Sequence, residues 1–271
     1  MSGPKSMTKD FLLAVEGLTV SFDGFKAVDD LSFYLDPKEI RVIIGPNGAG
    51  KTTVLDLICG KTKATTGSIK FDGKELTKLK EHQIVHSGVG RKFQTPSVFE
   101  DLTVFENLEV SYPKGHSVMG ALAFKRDQEV IDAVEEVAET IFLTDSLNEP
   151  AALLSHGQKQ WLEIGMLLIQ KPDLLMLDEP VAGMSVTERQ KTAELLRVIT
   201  RDHTVLVIEH DMQFVGDIAD RVTVMHQGKV LSEGSIEHVK ATRKSSKSTW
   251  GTDHAEHQTS FGGLWPKHHH Q

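Results

Sequence analysis

Cysteine and long apolar runs are both scarce in this chain. Cys59 is the single cysteine among 271 residues, which excludes an internal disulfide framework and favours a reducing compartment. The apolar neighbours of Cys59 favour a buried small side chain over a nucleophile. No stretch approaches the roughly 20 apolar residues that a membrane helix needs, and residues 1–10 lack the apolar core of a signal peptide. We therefore expect a cytosolic protein that reaches membranes only through partners.

Basic residues are outnumbered by acidic ones. The chain has 30 Lys and Arg against 38 Asp and Glu, which gives a formal net charge of -8. A surface built mainly to bind nucleic acid would show the opposite excess, so we expect no nucleic-acid partner. With 39% apolar residues the chain can form a packed core, either as one large α/β domain with a helical insertion or as two small domains.

The first part of the chain has the pattern of short β-strands. Between residues 11 and 71, β-rich runs are punctuated by Gly, Asp and Pro, and they fall at residues 12–20, 31–35, 40–44 and 68–71. This pattern predicts a small antiparallel sheet beside one core strand. From Lys51 to Gly60 the apolar residues recur at helical spacing, so residues 40–60 predict a strand, a loop and a helix.

The middle of the chain lacks β-rich runs and shows long helical periodicities, which predicts an inserted helical subdomain at about residues 95–170. Short apolar runs then follow at residues 174–177 and 205–208, on either side of the amphipathic segment 186–199. This alternation is typical of central strands in a parallel sheet covered by helices. A hairpin around Gln227-Gly228 closes the domain. Because no internal repeat is present, we predict one domain, residues 11–240.

A phosphate-binding loop follows the predicted strand 40–44. The pattern G-x-x-x-x-G-K-[ST] is matched in full, in the strand-to-helix context that it requires. Backbone N–H groups of such a loop cradle phosphate, Lys51 bridges the β- and γ-phosphates, and the Thr52 oxygen can ligate Mg2+. The alternative is a glycine-rich turn that merely joins strand to helix. The predicted nucleotide contacts are Gly45, Pro46, Asn47, Gly48, Ala49, Gly50, Lys51, Thr52 and Thr53.

Polar residues follow two of the predicted central strands. Asp178 and Glu179 end the run 174–177, and strand alternation points their side chains in different directions. Two adjacent acids at a strand end can also occur by chance. His210 follows the run 205–208, where the alternative is a solvated turn histidine. Ser155 precedes a helical run that starts near Gly157, so its hydroxyl can cap that helix and, with the backbone amides, face an anion.

The order of these motifs resembles that of ATP-binding-cassette (ABC) ATPases over most of the chain. Leu154-Ser155-His156-Gly157-Gln158 is similar to the signature motif of that family, except that His156 stands where glycine is usual. The resemblance implies an α/β fold, a P-loop ABC ATPase cassette with a RecA-like core sheet, an antiparallel β subdomain and an inserted helical subdomain. It also implies that the chain is an ATPase, with ATP and Mg2+ as its ligands.

The resemblance assigns roles to individual residues. It implies that Asp178 holds Mg2+ through its water shell, that Glu179 polarises the attacking water as general base, and that His210 contacts the γ-phosphate. Phe22 matches the aromatic position that stacks on adenine, with a partly buried strand-end ring as the alternative. Gln94 stands where the sheet region gives way to the helical one, so its amide is placed to ligate Mg2+ and to sense the γ-phosphate.

The resemblance also implies partners. Two ATP molecules are held between the phosphate-binding loop of one cassette and Ser155, Gly157 and Gln158 of another, so a second ABC ATPase subunit, identical or a sister chain, is required. Ser185 stands where many relatives carry an aspartate that bonds across this dimer. The expected further partners are integral membrane permease subunits and, indirectly, a periplasmic solute-binding protein. The expected location is the cytoplasmic face of a bacterial inner membrane.

The solute is inferred by likeness alone, because it never touches this subunit. Residues 45–53, the insertion around residues 114–126 and the Ala182-Gly183 loop are similar to subunits that serve branched-chain amino acid importers. Residues 91–100 combined with residues 155–161 are closer to the urea-importer branch, so urea is the expected solute and branched-chain amino acids the alternative. A soluble ABC machine that acts on DNA or ribosomes usually has two cassettes or a coiled-coil insertion, and neither is found here.

The last residues differ in composition from the rest. Residues 241–271 are rich in Ser, Thr, Lys, His and Gly, which predicts disorder, and His268, His269 and His270 there can at most bind a metal adventitiously. Codons compatible with residues 241–251, read one base out of phase, can encode Asp-Pro-Lys-Val-Ile-Glu-Val-Tyr-Leu-Gly, which resembles the usual ending of ABC ATPases of this type. We hypothesise a frameshifted, non-native terminus, which an in-frame DNA sequence across codon 241 would refute.

Overall fold

The computed structural model describes residues 11–92, 98–113 and 128–245, and its strands form two sheets. The first sheet is antiparallel in the order β2-β1-β4-β5, with β1 Leu13–Phe22, β2 Phe25–Leu35, β4 Thr66–Phe71 and β5 Lys74–Glu75. The second has the order β10-β9-β3-β8-β7-β6, with β3 Ile40–Ile44, β6 Val89–Lys92, β7 Leu174–Asp178, β8 Thr204–Ile208, β9 Arg221–His226 and β10 Lys229–Gly234. The predicted antiparallel sheet and parallel core sheet are both present.

The second sheet carries the site. Strands β9, β3, β8, β7 and β6 pair in parallel, and only β10 joins antiparallel. Every residue of β3, β7 and β8 is buried, as expected when both faces of a parallel sheet are covered. Alternate residues serve two separate cores: Leu175 and Leu177 join the core that contains the helical region, whereas Leu174 and Met176 join the core under the antiparallel sheet.

Helices cover the sheet and form the inserted region. In the described residues they are α1 Lys51–Ile58, α2 Glu81–His86, α3 Val104–Ser111, α4 Gln128–Thr140, α5 His156–Leu168, α6 Val186–Ile199, α7 Met212–Ile218 and α8 Ile236–Ser245. Helices α3, α4 and α5 pack on one another within the predicted insertion. Each of α3, α5 and α6 begins with a capping box, in which the N-cap hydroxyl and the third helical side chain bond reciprocally.

Three details differ from or add to the sequence prediction. Strand β6 at the edge of the core sheet was not predicted, because its residues Gly90, Arg91 and Lys92 lack a β-rich pattern. Helix α8 continues to Ser245, into the first residues of the segment predicted to be disordered, and the rest of that segment lies outside the described residues. Cys59 is buried as predicted, with Arg91 donating to its Sγ at 3.2 Å.

No helix in the described part of the chain combines the length and the apolar content that crossing a bilayer requires.

A buried ion pair joins the core sheet to the helical region. Lys92 Nζ on β6 lies 2.9 Å from Glu163 Oε2 on α5, and both side chains are only 4% exposed. The pair was not predictable from sequence, because its members are far apart in the chain. Since α5 begins at the Ser155–Gln158 segment, the pair sets the position of that segment relative to the sheet.

We expect Glu163→Ala to lower the free energy of unfolding by about 3–5 kcal/mol, because it leaves the Lys92 charge buried without its partner. The double variant Lys92→Met with Glu163→Leu should recover most of this loss, since apolar side chains of similar volume replace both charges. Urea denaturation of the full chain measures both. Equal losses in the single and double variants would show that the pair does not hold the two elements together.

Candidate functional site

The phosphate-binding loop connects the buried end of β3 to the first residue of α1. Gly50 is the N-cap of α1 and has a left-handed φ of 93°. A Cβ on Gly50 would overlap the carbonyl oxygen of Ala27 on β2, so only glycine fits at this point. The Lys51 ammonium folds back over the loop and donates to the carbonyl oxygens of Gly45 at 2.8 Å and Pro46 at 3.0 Å. The loop therefore has the shape and the cation that phosphate binding needs.

Asp178 lies beside this loop, and only one of its two carboxylate oxygens accepts a hydrogen bond from the described residues. Its side chain is 3% exposed, and Oδ2 accepts a hydrogen bond of 3.2 Å from Thr52 Oγ1. Its Oδ1 is buried and has no hydrogen-bond partner among the described residues. Burial raises the pKa of Asp178, and the bond from Thr52 acts in the opposite direction. The unsatisfied oxygen of this buried carboxylate lies next to the exposed Thr52 hydroxyl. A cation can bind between such oxygens and satisfy them.

The Thr52 and Asp178 oxygens fit Mg2+. They are hard oxygen donors, which Mg2+ prefers, and the described residues contain no group of three or more His, Cys, Asp or Glu that could hold a metal. Mg2+ at this place would therefore take its remaining ligands from phosphate and water, as is usual for this ion. Gln94, which the sequence predicts as a ligand of Mg2+, lies outside the described residues and follows the end of β6 in the chain.

Glu179 follows Asp178 in an unusual backbone conformation. Its φ is 48°, in the left-handed region, and its N–H donates to the carbonyl oxygen of Ile208 at 2.9 Å. Non-glycine residues keep this conformation only where the surroundings hold them there, which is common at functional sites. The carboxylate is 37% exposed, and its Oε1 lies 3.5 Å from Nδ1 of His210. Asp178 and Glu179 thus face different surroundings, as strand alternation predicted.

Glu209 was not singled out from the sequence, yet it shapes this edge of the site. It is 1% exposed, and its Oε2 accepts bonds from the N–H groups of His210 at 2.7 Å and Asp211 at 3.2 Å. Its Oε1 is buried without a hydrogen-bond partner in the described residues, and burial raises the pKa of the side chain. Glu209 therefore holds the turn that carries His210. An acid directly after the apolar run 205–208 was the available signal.

The aromatic position lies at the turn between β1 and β2. Phe22 is 49% exposed and pairs across the turn with Phe25, a second exposed ring that the sequence prediction missed. The start of β2 passes the phosphate-binding loop, because Ala27 contacts Gly50. The turn therefore presents two exposed rings near the loop, in a place where a base can stack.

Ser155 is the N-cap of α5, as predicted. Its Oγ accepts from the Gln158 N–H at 3.2 Å, and Gln158 Oε1 accepts from the Ser155 N–H at 2.8 Å. His156 replaces the expected glycine and makes a specific contact, because its Nε2 lies 3.0 Å from the carbonyl oxygen of Ala182. The ring therefore connects the start of α5 to the loop that follows Glu179. The contact explains how a side chain is accommodated at position 156.

The geometry defines the class of protein. The carboxyl ends of β3, β7 and β8 bring together Lys51, Thr52, Asp178, Glu179 and His210, which is the site of a P-loop nucleotide hydrolase. The family model for ABC transporters matches residues 28–182. The chain belongs to this family and is an ATPase, the ATP-binding subunit of transporter complexes that contain membrane permease subunits.

Relatives and solved structures agree with this assignment. The chain is 37% identical over 238 residues to BraF, a high-affinity branched-chain amino acid transport ATP-binding protein of Pseudomonas aeruginosa, covering 84% of this chain and 93% of that protein. It is 39% identical, with the same coverage, to LivG of Salmonella typhimurium, which has the same description. The ADP conformation of MJ1267, an ATP-binding cassette of an ABC transporter, matches with a TM-score of 0.77 and 30% identity, covering 89% of this chain and 99% of that chain.

These relatives do not support the expected assignment to the urea importer, of the type called UrtD. Their names state branched-chain amino acid transport, which was the alternative. The urea expectation depended on two short segments, 91–100 and 155–161. Part of the first segment lies outside the described residues, and His156 in the second has a local packing role.

We expect Lys51→Ala to weaken ATP binding by about 10–100-fold, because charge-assisted bonds to phosphate are lost. The matched control is Lys61→Ala, which removes an exposed lysine just beyond the same helix. Fluorescent ATP titration measures both dissociation constants. Unchanged affinity in Lys51→Ala would contradict the role of the loop.

Proposed function

We propose that this chain hydrolyses ATP to power a membrane importer for branched-chain amino acids, acting at the inner face of the membrane through permease subunits. The observation that carries the ATPase mechanism is the meeting of Thr52, Asp178 and Glu179 beside the phosphate-binding loop, with Asp178 Oδ1 buried and unsatisfied. The names of the BraF and LivG relatives support the choice of solute.

Binding of ATP and Mg2+ uses the loop backbone and five side chains. Loop N–H groups and the Lys51 ammonium bind the phosphates, while Phe22 stacks on the adenine. Thr52 Oγ1 would hold Mg2+ directly and the free Oδ1 of Asp178 would hold it through its water shell, with Gln94 as a further predicted ligand. Mg2+ held there would neutralise the charge of the phosphates during phosphoryl transfer.

Glu179 and His210 act on the water that attacks the γ-phosphate. Glu179 is exposed enough to meet this water, and its carboxylate lies beside His210. The carboxylate accepts a proton from the water. At the same time the water oxygen forms a bond to the γ-phosphorus, and the bond between that phosphorus and the oxygen of ADP breaks. His210, 3.5 Å from Glu179, is placed to contact the γ-phosphate and to orient the water.

Each ATP site is completed by a second cassette. Ser155, Gly157 and Gln158 lie at the N-terminus of α5, where the Ser155 side chain is exposed. A helix N-terminus favours an anion. The γ-phosphate of an ATP bound to the partner supplies that anion. Closure of two cassettes on two ATP molecules moves the helical regions, and hydrolysis reopens them, so that the permease subunits alternate between two states. The partner cassette is either a second copy or a sister chain.

Urea remains the second candidate solute, favoured by the segments 91–100 and 155–161. In either case a periplasmic solute-binding protein would deliver the solute to the permease subunits.

We expect Glu179→Gln to bind ATP normally but to hydrolyse it about 10²–10⁴-fold more slowly, because proton transfer to the base is lost. The variant should accumulate ATP-bound dimers. Glu194→Gln, the same change at an exposed position of α6, is the control and should hydrolyse ATP at the original rate. Phosphate release and light scattering measure the two effects. Original turnover in Glu179→Gln would rule out the base assignment.

The solute is tested with the whole transporter. The permease subunits that co-purify with this chain are reconstituted in vesicles with the binding protein, and uptake of labelled leucine and of labelled urea is measured with ATP. We expect ATP-dependent leucine uptake that excess valine inhibits. Uptake of urea without uptake of leucine would overturn the choice of solute but leave the ATPase mechanism intact.

A further inference from the structure

One carboxylate, that of Glu188, connects the N-termini of two helices. Glu188 is the third residue of α6, and its Oε2 accepts from the N–H of Ser185 at 2.9 Å and from Ser185 Oγ at 2.8 Å. These bonds complete the capping box of α6. Its other oxygen, Oε1, accepts a bond of 2.9 Å from Ser155 Oγ at the start of α5. Glu188 thus contacts the segment that we propose binds the ATP of the partner.

The contact extends to the backbone of α5. A Cβ on Gly157 would overlap the Glu188 carboxylate, so the glycine at this position admits the carboxylate to the helix N-terminus. Bonds from Ser185, Ser155 and the Gly157 backbone lower the pKa of Glu188, so the side chain is ionised at neutral pH. The positive end of α5 therefore already faces a negative charge from the same chain.

Two anions cannot both take the Ser155 hydroxyl proton. Ser155 Oγ has one hydrogen, and Glu188 accepts it. A γ-phosphate that arrives from a partner needs the same hydrogen and the same helix N-terminus. It also meets the negative charge of the carboxylate, which repels it.

We propose that Glu188 is an internal competitor for the partner's nucleotide phosphate at Ser155, and that it thereby sets the ATP concentration at which two cassettes close. The inference rests on the proposed function, because it requires that Ser155 meets ATP across a dimer. It assigns to Glu188 a role in affinity that capping of α6 alone does not require.

The test uses Glu188→Gln in the Glu179→Gln chain, which traps ATP-bound dimers. Glutamine keeps the capping box of α6, as Gln158 does in α5, and removes both the charge and the acceptor of the Ser155 hydroxyl proton. We expect the ATP concentration for half-maximal dimer formation, measured by light scattering, to fall about tenfold, because like charges no longer meet. The fall should shrink in high salt, which screens charge. A capping role alone would not produce this salt dependence.

The control is Glu194→Gln in the same background, which removes an equal charge from an exposed position of α6 and should leave the ATP requirement unchanged. Melting temperatures confirm that all variants are folded. If Glu188→Gln needs the same or a higher ATP concentration, Glu188 is not a competitor and the inference is wrong. If the Glu179→Gln parent forms no dimers with ATP at all, the two-cassette step of the proposed function fails.

Discussion

The hydrogen bond from Thr52 Oγ1 to Asp178 Oδ2 is the contact on which the site depends. It spans 3.2 Å between the first turn of α1 and the end of β7, residues that are 126 positions apart in the chain. It attaches the phosphate-binding loop to the acidic edge of the sheet. Because it satisfies one oxygen of Asp178 and leaves the other buried without a partner, it also determines where a cation can bind.

The sheet makes this contact possible. Strands β3, β7 and β8 are buried along their whole length, and their parallel order brings their carboxyl ends to one edge. The same burial raises the pKa of Asp178 and of Glu209, two acids at that edge. Two buried acids with unsatisfied oxygens are costly to the fold. Their cost is consistent with a site that becomes fully satisfied only when its ligand is bound.

Local patterns in the sequence predicted much of the fold and the site. The phosphate-binding loop, Asp178, Glu179 and the Ser155 cap each follow from a short motif or from strand alternation, because the spacing of a few residues determines their geometry. The cassette fold was implied by the resemblance of the order of those motifs to that of ABC ATPases.

Contacts between distant residues could not be predicted in this way. Two such contacts join residues of separate elements, namely the ion pair of Lys92 with Glu163 and the hydrogen bond from Ser155 to Glu188. Local sequence patterns predict neither contact. The capping box of Ser185 and Glu188 was visible as a motif, but not its second contact with α5. The solute was the least predictable property, because the motifs of this chain concern ATP and not the solute.

The most direct test concerns the free oxygen of Asp178. Thermal melting of the Glu179→Gln chain is measured with ATP alone and with ATP plus Mg2+, and is repeated after adding Asp178→Asn. If Mg2+ satisfies the free oxygen of Asp178, Mg2+ should raise the melting temperature beyond the effect of ATP alone. This additional rise should disappear with Asp178→Asn. An equal Mg2+-dependent rise in both chains would contradict the account.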